Sequence, residues 1–409
     1  MFPTGWLLES DLASWVNRRL PVNSRVVDFF DRGVRRDPTL VLFGAMNGRK
    51  FGDNSRYVYE WVLENRNDLN PLWITLDEAV KSQLDDEGKP VELATSPAGI
   101  KALFRAGAAM TTNNFYDIAL HPVLVPSSLN LIHLGHGIPV KRGADNQKQR
   151  TEFEEAYKEK RSELAQFKIY TSTFLMEDPD SKVNRVTGYP RNDPLLKPPK
   201  TAQNNWDEYN EENQSRSSIL YAPTWRHGRQ PTEFFPFEDF SPEELDDVLQ
   251  TIDSQLLLRP HRNELRMYDS LQSELERYAS QCERVRLATH NEFPDANALL
   301  PFIDCLITDY SGIYHDYLLL DRPILFIPYD YEDYDHHNGF RYDYFNHLPG
   351  PAIDDFDEFL TAIERAIEND AYYEEERRTL KEKIHHYDDG ESSRRVVELL
   401  DEILASVES

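Results

Sequence analysis

The sequence predicts an α/β protein built from two doubly wound parallel-sheet domains. Three observations lead there. Its 409 residues are two to three times a typical domain. Short apolar runs alternate with helical patterns from residue 39 onward. A polar stretch then divides these runs into two sets of about five.

The first set of strand candidates is Thr39–Phe43, Leu72–Thr75, Ala108–Thr111, Asn130–Leu134 and Phe167–Thr171. The second is Ile219–Ala222, Leu256–Leu258, Val285–Ala288, Cys305–Thr308 and Ile324–Ile327. Several are continuously apolar, as strands covered on both faces by helices must be. Helical stretches such as Arg56–Asn65 and Pro97–Ala106 lie between them. Residues 201–217 are acidic and nearly free of aliphatic side chains, so they are expected to form a linker. Residues 145–163 carry a charge-rich pattern expected to be a solvated helix. Val396, Val397, Leu399, Leu400, Ile403 and Leu404 recur at helical spacing and predict a terminal docking helix. The expected domains are therefore 1–36 (helical segment), 37–200, the linker 201–217, and 218–409 with its terminal helix.

Composition narrows the function classes. The chain is 40% hydrophobic and 12% aromatic, enough for packed cores. Cys282 and Cys305 make neither a disulfide framework nor a zinc spacing. No apolar run reaches the ~18 residues of a membrane span, and residues 1–20 lack a signal-peptide pattern, so a cytoplasmic protein is expected. Lys and Arg number 45 against 72 Asp and Glu, a net charge of −27 that argues against nucleic-acid binding. Such acidity, with few lysines, suits a salt-rich cytosol; the alternative is an ordinary acidic enzyme. Residues 1–36 differ, with six Arg against four acids. Leu8, Leu12, Trp15 and Val16 form a stripe there, followed by Arg18 and Arg19. The stripe fits either a membrane interface or the protein's own surface.

Chemistry is expected where parallel strands end. After Asn130–Leu134 comes Gly135-His136-Gly137-Ile138-Pro139-Val140-Lys141-Arg142, a histidine between two glycines followed by two cations. It reads as a structural turn or as a general base whose backbone a substrate can approach closely. After Leu256–Leu258 come Arg259, His261 and Arg262, a group that needs an anion, either acidic neighbours or a bound phosphate. The third junction is Thr308-Asp309-Tyr310-Ser311-Gly312, a phosphate cradle at a helix start or simply an N-cap. Arg226, in Tyr221-Ala222-Pro223-Thr224-Trp225-Arg226, is a further anion clamp candidate. No carboxylate cluster has metal-ligand spacing, and His336-His337 sits in an acidic run expected to be a solvated loop. No P-loop, G-x-S-x-G or G-x-G-x-x-G is present.

Taken in order, these stretches resemble the CDP-glycerol glycerophosphotransferase family, the polymerases and primases of teichoic-acid synthesis. The likeness begins at Phe43-Gly44 and runs through Phe51-Gly52-Asp53-Asn54-Ser55 and Gly135 to Lys141. It continues at Gly188-Tyr189-Pro190-Arg191-Asn192-Asp193, at Tyr221 to Arg226, and most densely at Ile307 to Gly312 and Leu319 to Pro323. Ile138 stands where the family usually has Thr, and Gly312 where it has a second Ser.

The resemblance implies a GT-B fold, with an acceptor domain followed by a CDP-donor domain. It implies transfer of glycerol phosphate, or a related polyol phosphate, from a CDP-activated donor to a hydroxyl of a membrane-linked glycan or polymer, releasing CMP. His136 is then the general base, and His261, with Arg259 and Arg226, stabilises the transferring phosphate. Thr308, Asp309, Ser311 and Gly312 hold the donor; Gly135, Gly137, Lys141 and Arg142 lie on the acceptor side. No cofactor or metal is expected, and residues 1–36 are the expected membrane contact. Rival readings are a GT-B nucleotide-sugar glycosyltransferase and a non-catalytic glycan-assembly scaffold, since fold alone does not separate them.

Overall fold

The computed structural model describes residues 25–138, 140, 160, 163–176, 178–211, 215–226, 230–341 and 343–408. The chain divides into two units: residues 1–136, 147–193 and 391–409, and residues 137–146 and 194–390.

The first unit holds a seven-stranded sheet. Its strands are β1 Asp37–Gly44, β2 Asn70–Thr75, β3 Val91–Leu93, β4 Ala106–Thr111, β5 Asn130–His133, β6 Ala165–Tyr170 and β7 Asn184–Val186. They lie in the order β3-β2-β1-β4-β5-β6-β7, every pairing parallel. β4 (AGAAMT), mostly small residues, occupies the middle and is wholly buried, as a strand covered on both faces must be. The helix Pro97–Arg105 delivers the chain to it. Ser96 caps that helix by accepting the Gly99 N–H, with Pro97 in the first turn.

The second unit holds β8 Ser217–Tyr221, β9 Ser254–Leu258, β10 Val285–Leu287, β11 Cys305–Thr308 and β12 Ile324–Phe326, also all parallel. Their order is β10-β9-β8-β11-β12. Leu256, Leu258, Ile307 and Leu325 from this sheet meet Phe235, Leu245, Leu275, Phe356 and Phe359 in one apolar core.

All ten expected strands exist, each end within two residues of the expected position. β3 and β7 were not expected: Val91–Leu93 and Asn184–Val186 are three residues long and carry no apolar run. The expected linker is also corrected. Lys200–Asn210 is a helix, since Ala202, Trp206 and Tyr209 recur at i, i+4 and i+7 on an otherwise polar segment. Trp206 is buried and stacks on Phe302 at 5.4 Å. The terminal helix, Ser392–Glu408, groups with the first unit and packs on β1 and β4, rather than belonging with residues 218–390. His336 and His337 lie on the helix Tyr331–Asn338, not on a loop. The leading stripe (residues 8–19) and nearly all of 145–163 lie outside the described residues.

Candidate active site

In the first unit, β1, β4 and β5 end level with one another, Gly44 opposite Thr111 and Thr111 opposite His133. Immediately beyond β5 the chain makes a sharp excursion at Gly135-His136-Gly137. Both glycines adopt left-handed backbone, φ +68° and +66°, which a side chain would strain. His136 is therefore held out on a tight loop, its side chain 51% exposed.

Asp53 lies behind the imidazole. It opens the helix Asp53–Asn65 and is itself left-handed (φ +59°), an uncommon state for aspartate. Its carboxylate Oδ2 meets His136 Nδ1, and its side chain is only 5% exposed. Burial works against its charge, but the His136 hydrogen bond, followed by the charges of His136 and Arg191, outweighs it. The carboxyl is held below the ordinary aspartate value. An ionised carboxylate can only accept, so in the neutral ring Nδ1 carries the proton and Nε2 presents a lone pair. The loop is pinned as well. Asn54 Nδ2 donates to the carbonyls of Leu134 (3.0 Å) and Gly135 (3.1 Å), and its Oδ1 accepts the Arg191 N–H (3.1 Å). Asp53, Asn54 and Arg191 were not among the expected site residues, although all three stand in the Phe51–Ser55 and Gly188–Asp193 stretches.

His261 follows β9 and is exposed. It caps the helix Arg262–Met267 with Nδ1 accepting the Asn263 N–H (3.2 Å). Its ring stacks flat on Trp225, centroids 5.0 Å apart and planes 4° from parallel. Because Nδ1 accepts, the neutral ring carries its proton on Nε2, the opposite tautomer from His136. Glu264, fully buried, anchors the neighbouring loop by accepting the Thr232 N–H at 3.0 Å, and burial raises its carboxyl above the ordinary value.

The expected anion ligands divide in two. Arg226 is 4% exposed and already paired, with Asp309 at 2.5 Å and Asp330 at 2.8 Å. Burial opposes its charge, but Asp309, Tyr329 and Asp330 outweigh burial and raise its pKa above the ordinary arginine value. The Asp309 carboxylate also accepts the Thr224 N–H at 2.8 Å, and the Thr308 hydroxyl donates to Ala222 O at 2.8 Å. Arg226, Thr308 and Asp309 therefore lock the ends of β8 and β11 together. Arg259 likewise spends its guanidinium on Ala288 O (2.9 Å) and Phe293 O (2.7 Å), and burial pushes it down to about 10. All four side chains therefore make contacts that hold the second unit together.

Ser311 and Gly312 remain half-buried at the start of the helix Ile313–Tyr317. A Cβ at Gly312 would come within 2.9 Å of Ile138 O, so the two positions where this chain departs from the family pattern are neighbours. Lys141 and Arg142 lie outside the described residues. Among the described residues no group of three ligating side chains is placed to hold a metal, His336 and His337 included.

Three comparisons bear on this arrangement. The family model for CDP-Glycerol:Poly(glycerophosphate) glycerophosphotransferase matches residues 27–402. The teichoic acid glycerol-phosphate transferase of Staphylococcus aureus is 24% identical over 384 residues, covering 88% of this chain and 92% of that one. The teichoic acid poly(glycerol phosphate) polymerase of Bacillus spizizenii is 26% identical over 396 residues, covering 89% and 92%. The Bacillus subtilis polymerase is 24% identical over 387 residues, but this chain spans 48% of its length. Among solved structures, the wall teichoic acid polymerase TagF superposes with a TM-score of 0.70 at 22% identity, covering 91% of this chain and 90% of that one. The UDP-GlcNAc 2-epimerase of Neisseria meningitidis superposes at 0.57 and 13%, covering 89% and 99%, a likeness of fold alone. The architecture is thus GT-B-like, and with its family model matched over nearly its whole length this chain belongs to the CDP-glycerol:poly(glycerophosphate) glycerophosphotransferases, enzymes that carry glycerol phosphate from a CDP-activated donor to a polymer acceptor.

Proposed function

We propose that His136 is the general base of this transfer and that Asp53 sets its tautomer. The observation that carries the reading is the buried carboxylate on Nδ1, which in the neutral ring puts the proton on Nδ1 and turns the lone pair of Nε2 outward from an exposed side chain. In the reaction Nε2 takes the proton of the acceptor hydroxyl as its oxygen attacks the polyol-side phosphorus. The bond from that phosphorus to the bridging oxygen breaks, and CMP leaves with the electron pair. Little covalent work falls to the protein, so position and charge stabilisation decide the rate. His261, a donor at Nε2, suits the developing charge on the phosphate and on CMP. Ser311, Gly312 and Arg259 are the expected donor contacts that remain partly exposed.

His136→Ala is expected to lower CMP release onto acceptor by at least ~100-fold, with folding intact by circular dichroism. A folded variant near wild-type turnover removes His136 from this role. Donor class is read by thermal shift with CDP-glycerol, CDP-ribitol, CMP and UDP-sugars. Stabilisation by a CDP-polyol supports the reading, and preference for a UDP-sugar overturns it.

The acceptor is read as membrane-linked, and the N-terminal region as a contact with the membrane surface. Phe29 and Phe30 are 72% and 63% exposed beside exposed Arg32 and Arg35, the pairing of aromatic and cationic groups that interfacial segments use. No helix among the described residues is long and apolar enough to cross a membrane. Replacing both Phe29 and Phe30 with Ser should reduce co-sedimentation with anionic phospholipid vesicles; unchanged partitioning sinks the idea. The charge of −27 is read as adaptation to a salt-rich cytosol.

A further inference from the structure

In a doubly wound sheet the crevice opens where the chain reverses its direction of strand addition. In the first sheet that place lies between β1 and β4, because β2 and β3 extend one way and β5, β6 and β7 the other. In the second sheet it lies between β8 and β11. There the protein fills the position itself, with Arg226 bridging Asp309 and Asp330 and Thr224 tied to Asp309. The first sheet presents amides at the same place. Asn47 comes from the turn after β1, and Asn113 and Asn114 from the turn after β4.

The two turns are built as one unit. Asn114 Nδ2 donates to Asn47 Oδ1 at 2.6 Å. Buried Asp117 accepts the backbone N–H of Asn47 (2.7 Å), Thr112 (3.0 Å), Asn113 (2.8 Å) and Asn114 (3.2 Å). Gly44 lets the turns meet, since a Cβ there would lie 1.9 Å from Asp117 O. Met46 and Asn47 are held at φ +53° and +58°, and Asn47 is exposed. Asp117 is the one charged residue in Ala45–Gly48 and Thr112–Asp117, and it is buried and occupied by backbone donors. Within these two turns, exposed Asn47 and half-buried Asn113 and Asn114 therefore offer neutral chemistry, amide donors and acceptors. β5, the next strand over, carries His136 just past its end at the same level of the sheet.

We infer that Asn47, Asn113 and Asn114 form a hydroxyl-reading ledge that binds the neutral, hydroxyl-bearing end of the acceptor and turns its attacking oxygen toward His136. The inference rests on the transfer reading above and adds to it where the acceptor is held. Paired amides suit vicinal hydroxyls of a polyol or saccharide, each offering a donor and an acceptor, better than they suit a phosphate.

The test uses the full chain, CDP-glycerol, and a glycerol-phosphate oligomer of defined length with a free terminal hydroxyl. Asn47→Gly is the informative variant, because glycine accepts φ +58° without strain and only the amide is lost. Asn114→Ala is the second. Both are expected to raise acceptor KM at least tenfold while the donor Kd, read by calorimetry, stays within twofold. Acceptor KM within twofold of wild type in folded Asn47→Gly overturns the ledge, as does an equal loss of donor affinity. If wild type releases no CMP in response to the oligomer, the transfer reading fails first, and that result is separable because it appears before any variant is made.

Discussion

Asp53 concentrates the chemistry of the site in one side chain. Its folded pKa lies below the unfolded value of ~3.9, so its ionised form contributes stability that is fully present above about pH 4. That contribution is lost as pH falls through the folded value. Asp53→Asn should therefore flatten the acid end of the stability profile, measured by denaturant unfolding between pH 3 and 6. It should also cost turnover, because an amide can donate to Nδ1 and so favour the wrong tautomer of His136. A drop of ~100-fold in kcat is expected, with donor affinity unchanged. A variant that keeps kcat while losing acid stability would make Asp53 structural only. At Gly312 a single atom decides: Gly312→Ser places Cβ 2.9 Å from Ile138 O, so restoring the family's usual residue should require that segment to shift.

At the scale of elements, the ends of β8 and β11 hold a charged motif whose partners are remote in sequence. Arg226 reads as an anion clamp because it follows a buried strand, but its carboxylates lie 83 and 104 positions downstream. Nothing local announces them. Removing one member of a buried ion pair strands the other, so Arg226→Met should cost about 3–5 kcal/mol of unfolding free energy. An open phosphate clamp would instead raise donor KM and leave stability alone. His136 was legible because two glycines flank it, whereas Asp53 behind it is 83 positions away. The long strands were legible from continuous apolar runs. Lys200–Asn210 was not, because Ala202 is its lone aliphatic anchor and the rest of its buried face is aromatic. Trp206→Ala should cost about 3–5 kcal/mol, since the indole packs on Phe302 and Phe293.

Two features belong to the whole molecule: the path of the chain and its charge. The chain leaves the first unit at Asp193 and returns at Glu391, where the Asp193 carboxylate accepts the N–H groups of Ser392 (2.9 Å) and Ser393 (2.8 Å). The returning helix buries Val396, Val397, Leu399, Leu400, Ile403 and Leu404. At roughly 1.5–3 kcal/mol for each such side chain, the helix outweighs much of the 5–15 kcal/mol that holds an ordinary domain. Deleting residues 391–409 should therefore abolish cooperative unfolding of the first unit. Charge acts on every part at once. With 72 acids against 45 bases, self-repulsion opposes compactness wherever screening is weak. Raising salt from 0.1 to 1 M shortens the screening length from ~10 to ~3 Å. The thermal midpoint should climb steeply over that interval in KCl and level off beyond it, because further screening adds little. A midpoint flat from 0.1 to 2 M KCl would show that the acidic surface is already compensated at low salt, and adaptation to a salt-rich cytosol would have to be abandoned.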